Sequence, residues 1–393
     1  METRSQPTGE PITGKVLAWA IDESGFSASD LAKRLKVSPD SIEAWTSESV
    51  NPTVGELTRL ADVLKRPRAL FFAPHPPKDR IAPEYRHVAT DEGRRDLGSE
   101  ELLTIRCAKR VQSIVAEVRA DSGVSAEPVP THTLNEPPEV VGRELMDWIL
   151  PGQPDRHLSF TEWRAVFAAR QILVLVLPVR FGTSPDVGPT RPSIRGFALL
   201  DPLAPAIAVI SSEIQTARTF TLFHELAHLS LGKVHACGPA ALGAANLNTT
   251  THLSVETWCD RVAEHALIPT LGLKRVVSAR QPDLALVETV GRHFKVSHRA
   301  AAVALIHRSL AAPALYDEVE ARWPLLDGDK PQEWRGKPRS RARIRVDEWG
   351  HSAMETILNA FEHRAVSEMK VRRWLKLSGP ELDEARSHLE IVP

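Results

Sequence analysis

Cysteine is scarce in this sequence. The three present, Cys107, Cys237 and Cys259, cannot make a disulfide framework, which excludes the small stapled secreted scaffolds. Long apolar runs are also missing. The run at 172–177 falls far short of the roughly 20 residues that cross a bilayer, so no membrane span is expected. The first residues are polar and lack the basic-then-apolar layout of a signal peptide, and the expected compartment is the cytoplasm. There is no excess of one charge. The 49 basic and 50 acidic side chains leave a net charge of -1, which excludes a wholesale nucleic-acid coat but leaves room for a local basic patch. Tyrosine is nearly absent, two against thirty prolines, and the prolines divide the chain into well-punctuated segments. What remains is an ordinary globular composition, 42% hydrophobic and 25% charged, in 393 residues, enough for two or three domains.

One stretch, 218–232, stands out. It contains His224-Glu225-Leu226-Ala227-His228. On a helix, positions i and i+4 share a face, so two imidazoles can grip one Zn²⁺ while the Glu between them serves as a base toward water. Phe220, Phe223, Leu226, Ala227 and Leu231 recur at helical spacing, and Gly232 is a plausible stop. The bland alternative is a buried amphipathic helix that happens to carry two His.

Residues 12–77 read as a bundle of five short helical patterns. Ser27 caps the second, with Leu31, Ala32 and Leu35 inward. Ser38-Pro39 opens the third, with Ile42 and Trp45 inward. The fourth opens after Pro52-Thr53 and the fifth after Pro67. A short turn between the second and third describes a helix-turn-helix. The string L-A-K-R-L-K-V-S followed by N-P-T resembles the Cro/C1-type (XRE) repressor domain. That resemblance makes 39–46 the recognition helix, with Ser38, Asp40, Ser41 and Glu43 as its outward contacts and Lys33, Arg34 and Lys36 near a backbone. The recognition helix has no Lys or Arg and carries two acids, a poor match to phosphate. DNA binding and protein interaction therefore both stay open.

Residues 78–139 read as a bracing helix, 99–120, and a Pro-rich linker. Ser99 is the expected cap and the basic residues are the expected solvated face. Residues 140–310 follow as a third segment. Ser159 and Glu162 form a capping box before one helix. Residues 172–177, 196–200 and 206–210 read as three short strands ahead of the motif helix, and a sheet edge beside that helix could hold an extended peptide. A catalytic zinc takes a third protein ligand. Spacing offers Glu256, Asp260 and Glu264 on one face of the next helix, with His235, His252 and His265 as competitors, and does not choose among them.

R-x-F-T-L-F-H-E-L-A-H-L, then E-x-x-C-D-R-V-A, then H-F-K-V-S is similar to the ImmA/IrrE family of metallopeptidases. The resemblance implies a zincin-like domain holding Zn²⁺ through His224, His228 and Glu256. It implies Glu225 as the catalytic base and Asp260 as a supporting or structural residue. Glu264 and His265 depart from the family pattern. Arg218 reads as structural; with His235 and His252 it is also a candidate to stabilise an oxyanion.

Residues 311–393 read as a basic run, Arg335 to Arg345, and a helical cap. The expected fold is mainly α with a small β-sheet (α+β). It comprises an N-terminal helix-turn-helix bundle, a central metallopeptidase domain and a C-terminal helical region. The expected function is a cytoplasmic zinc endopeptidase with a repressor-like module, cutting a repressor-type protein in a transcriptional, stress or mobile-element response. DNA is a second expected partner and a homodimer is left open. The alternative is a non-catalytic XRE-type regulator or antitoxin-like binder that keeps the zinc domain as scaffold or sensor.

Overall fold

A computed structural model of the chain describes residues 11–77, 87–90, 93–124, 127–153, 156–179, 194–232, 236–237, 255–278, 281–324 and 339–390. They divide into two units. The first holds the described residues of 11–87 and 96–107, and the second nearly all the rest.

The first unit is built on α1 (Gly14–Asp22), α2 (Ala28–Leu35), α3 (Pro39–Thr46), α4 (Val54–Val63) and a 3-10 helix, Arg68–Phe72. Caps set the boundaries. Ser27 accepts from the Asp30 N–H, Ser38 from Ser41, and Thr53 forms a capping box with Glu56, each satisfying donors that a helix start leaves open. Between α2 and α3 the chain turns through Lys36 at φ 58°, ψ 47°. Leu17, Leu31, Leu35, Ile42, Leu57, Leu60 and Phe71 close the core.

The next helix, α5 (Ser99–Asp121), departs from the sequence reading in two ways. Its cap lies one residue earlier. The Glu101 carboxylate accepts from the Gly98 N–H at 2.9 Å, and the Gly98 carbonyl accepts from Glu101 and Leu102. Its basic residues do not all face solvent, because Arg106 and Arg119 are buried. The Arg106 guanidinium donates to the carbonyls of Leu64 (2.7 Å) and Glu23 (2.8 Å), which end α4 and α1, so a cation sits where helix C-termini are negative. In the second unit Arg119 donates to the Gln171 and Leu203 carbonyls, and Gln112 donates to those of Leu199 and Ala204. Arg106, Gln112 and Arg119 thus satisfy carbonyls that would otherwise be buried unpaired.

The second unit is mainly α around a small sheet. Its helices are α6 (Pro138–Ile149), α7 (Phe160–Ala169), α8 (Gln215–Leu231), α9 (Val255–Leu267), α10 (Thr270–Val277), α11 (Leu284–Phe294), α12 (His298–His307), α13 (Ala314–Arg322), α14 (Arg341–Glu362), α15 (Glu368–Leu375) and α16 (Gly379–Glu390). Three strands form the body of the sheet, β3 (Leu173–Leu177), β4 (Gly196–Leu199) and β5 (Ala206–Ile210), all buried throughout. The short pieces β1 (His87–Thr90), β2 (Gly93–Asp96) and β6 (Ala236–Cys237) extend it to the order β2-β1-β6-β4-β5-β3. β3 runs parallel to β5, and β4 antiparallel to it. At one side of β4, β6 pairs antiparallel with its first two residues, Gly196 against Cys237 and Phe197 against Ala236, which occupies that part of the strand's edge.

The basic run also reads differently. Arg335 and Lys337 lie outside the described residues. Arg339 and Arg343 both pair with Asp347, and Arg345 pairs with Glu348. Local acids neutralise much of the described part. No helix of the described chain is long and apolar enough to cross a membrane.

Candidate metal centre

Helix α8 is not amphipathic. Every residue from 221 to 230 is buried, because β4 and β5, α7 and α9 cover the helix on several sides. Trp163 and Phe167 of α7 meet Phe223 edge-on, with ring centroids 4.9 and 5.6 Å away. At its end Gly232 takes φ 61°, and its N–H returns to the His228 and Leu229 carbonyls, a left-handed stop that glycine adopts without strain. His224, Glu225 and His228 are therefore held inside the protein by apolar neighbours rather than presented on a surface.

The two imidazoles face each other. The Nε2 atoms of His224 and His228 are 3.1 Å apart. Glu256, at the start of α9, places Oε2 3.3 Å from His224 Nε2 and Oε1 3.4 Å from His228 Nε2. Donor atoms about 2.0–2.1 Å from one tetrahedral ion stand about 3.3 Å from each other. The three side chains thus have the spacing of a zinc ligand set.

Asp260, one turn along α9, completes the frame. Its Oδ1 lies 2.8 Å from His224 Nδ1. A proton on Nδ1, donated to that carboxylate, leaves the Nε2 lone pair facing the cluster. Carboxylates dominate the electrostatics of the cluster, as a cation placed among them would require. Burial disfavours the imidazolium at His224, but the carboxylates of Asp260 and Glu256 outweigh it and raise its pKa well above the ordinary value. Burial likewise raises the Glu256 carboxyl, yet the hydrogen bonds from His224 and His228 override it and hold the group far below the carboxylate range. Burial pushes the Cys259 thiol up, helped by the carboxylates of Glu256, Glu225 and Asp260, so the thiol stays protonated.

Glu225 is fully buried and lies against β4. A Cβ at Gly196 would sit 3.2 Å from its Oε1, 2.5 Å from the Thr221 methyl and 2.9 Å from the Ala208 carbonyl. No larger residue fits there, so the strand backbone comes directly onto the motif. Nothing in the sequence marks Gly196 except that a glycine opens a strand of apolar residues.

The third member of the acidic stripe on α9 goes elsewhere. Glu264 binds His307 Nδ1 at 2.6 Å and forms a short ion pair with Arg308. Burial would raise its carboxyl, but those two partners hold it down at about 2. Arg308 also donates to His265 Nδ1 at 3.1 Å and to the Ile268 carbonyl, and burial with the Arg308 charge lowers His265 to about 4. The partners of Glu264 come from the end of α12 and the residue after it, some forty residues on, and its buried charge requires such a cation. His265 is not part of the histidine cluster, and His235 and His252 lie outside the described residues. Arg218 donates to the Ser211 carbonyl and lies over Phe160, a structural position.

One other group among the described residues brings three ligand atoms together, His132, Glu136 and Glu144. Glu136 is engaged there by Thr133 at 2.7 Å and by His132 at 3.1 Å, and its carbonyl accepts from Trp258 on α9. These contacts tie the entry of α6 to α9.

In the helix-turn-helix bundle, Ser38, Asp40 and Glu43 are exposed and Ser41 is half-buried against Ser38. Arg34 pairs with Glu100 at 2.5 Å and Lys33 lies 4.0 Å from Asp30. Lys36 is exposed at the left-handed turn.

Comparison with known families agrees with these two regions. Residues 189–305 match the model of the IrrE N-terminal-like domain, a peptidase family, and residues 17–71 match a helix-turn-helix model. The pair of matches is the fusion that the sequence resembles. No curated protein matches the chain.

Proposed function

We propose that the chain is a zinc-dependent endopeptidase whose centre is the α8–α9 pair, and that it cuts a repressor-type regulatory protein. The observation that carries this reading is the convergence of His224, His228 and Glu256, with Asp260 on the far nitrogen of His224. These three side chains would hold Zn²⁺, which acts in such sites as a Lewis acid toward a carbonyl and lowers the pKa of water. Asp260 fixes the imidazole of His224. The Glu225 carboxylate takes the proton of the attacking water and returns it to the leaving amine. Apolar walls around α8 exclude bulk water from that transfer and strengthen the charges inside.

The amino-terminal bundle is proposed to bring the peptidase to its target. The target is DNA carrying the regulated protein, or that protein itself. The paired Arg34 and the acidic Asp40 and Glu43 reduce its positive field. Retention on duplex DNA that falls steeply with salt would support the first target, and no retention at low salt would remove it.

Glu225→Gln tests the catalytic reading. The variant is expected to keep its zinc, measured as bound metal per chain, and to lose peptide-bond cleavage by about 10²-fold or more. Full biological response in a zinc-loaded Glu225→Gln strain would favour the non-catalytic regulator instead.

A further inference from the structure

Away from the residues of the histidine cluster, a cavity of about 910 Å³ is walled mainly by α5, α7, β3 and α14, within the size range of small-molecule sites. Its lining includes Arg119, Arg164 and Arg343, with the acids Asp347 and Glu355 on the same wall, and Asp201 acts on Arg119 from outside the lining. Arg119 is 1% exposed. It spends its terminal nitrogens on the Gln171 and Leu203 carbonyls and on Ser352 Oγ, and its Nε is buried with no hydrogen-bond partner. Arg164, also in the lining, donates one of its five N–H groups to the Val174 carbonyl at 2.9 Å. Neither guanidinium forms an ion pair among the described residues. The acid that acts on Arg164, Asp347, lines the same cavity and is shared with Arg339 at 2.8 Å and Arg343 at 3.4 Å.

The backbone is shaped around this arrangement. Helix α14 breaks at Gly350, φ 78° and ψ 164°. A Cβ there would lie 2.7 Å from Arg164 and 2.9 Å from the Val174 carbonyl, so only glycine lets the guanidinium lie across the break. A new helical segment starts at the cavity wall directly afterwards. Ser352 and Thr356 also line the space. Buried cations that lack anions are costly, and a guanidinium fork suits planar or tetrahedral oxyanions.

We propose that this cavity binds a small anionic molecule through a phosphate or carboxylate group, with Arg164 and Arg119 as its charge partners and Ser352 as a hydrogen-bonding neighbour. The inference stands apart from the peptidase reading, since none of these residues belongs to the histidine cluster.

The test uses the full-length chain and follows thermal unfolding against inorganic phosphate and against citrate, each matched in ionic strength with sodium chloride. A saturable rise in Tm of about 3 °C or more is expected for at least one anion. Stronger response to phosphate assigns a phosphorylated ligand, and stronger response to citrate a carboxylated one. Arg164→Gln should abolish the rise. Ser352→Ala, a milder change that leaves both arginines, should weaken it several-fold in apparent Kd. A rise of equal size in the wild type and in Arg164→Gln is a general solvent effect of the anion and overturns the proposal. So does no saturable rise with either anion. If Arg164→Gln does not fold, an unchanged Kd in Ser352→Ala overturns it.

Discussion

The helix-turn-helix bundle and the α8–α9 pair place their polar residues in opposite ways. In the bundle, α2 and α3 turn Leu31, Leu35, Ile42 and Trp45 inward and leave Lys33, Arg34, Asp40 and Glu43 near water. In α8, ten successive residues are buried and three of them are His224, Glu225 and His228. A polar side chain on an exposed face costs nothing and says little. One in the core must be repaid by a partner, a ligand or a reaction. The contrast makes the α8–α9 pair the informative region and limits what the surface of α3 can tell.

The largest test of that contrast is Glu264→Gln. The change leaves His307 and Arg308 facing an uncharged amide in the core, and breaking such a buried pair costs about 3–5 kcal/mol. Urea unfolding at neutral pH measures the cost. The pH dependence follows with a definite sign. The folded carboxyl sits at about 2, below the roughly 4.3 of an unfolded glutamate. Its contribution is therefore complete above the unfolded value and is lost as pH falls from there toward 2. The wild type should lose stability through that window, and Glu264→Gln should be flatter across it. A cost no larger than that of an exposed glutamate, Glu43→Gln, would break the comparison.

A smaller effect is expected at the frame of the proposed metal centre. Asp260→Asn keeps the shape but lets the amide present either a donor or an acceptor to His224 Nδ1. Removing such an orienting carboxylate weakens metal binding by about 10–100-fold. Competition with a chelator measures it, with far-UV circular dichroism unchanged. Affinity equal to the wild type would mean that the 2.8 Å contact does not set the imidazole.

The two regions also differ in how much of them the sequence shows. Caps and turns are local, so Ser27, Ser38, Thr53 and Ser159 could be read from neighbours three residues away. The histidine pair was legible because i and i+4 coincide on any helix. Three features were not legible, for three physical reasons. Arg106 and Arg119 looked like a solvated face because the carbonyls they satisfy come from α1, α4 and distant loops. The partners of Glu264 come from the end of α12 and the residue after it, and no local pattern announces a contact across forty residues. The pairing of β6 with β4 was hidden because β6, two residues long, is too short to carry an alternation of its own.

The smallest test asks whether the two regions differ in their local devices at all. The turn Leu35-Lys36-Val37-Ser38 in the bundle recurs as Phe294-Lys295-Val296-Ser297 between α11 and α12. Each has a left-handed lysine, φ 58° and 54°, and a serine accepting from the N–H three residues on, at 3.3 and 3.2 Å. The serine oxygen replaces water on a backbone donor, so its worth depends on the helix start and little on the domain around it. Ser38→Ala and Ser297→Ala should therefore cost about 1 kcal/mol each, measured by denaturant unfolding with separate probes for the two units. Equal costs would locate the whole difference between the regions in what α8 and α9 bury. A cost at Ser297 several times that at Ser38 would show that even the turns of the second unit are tuned to the site.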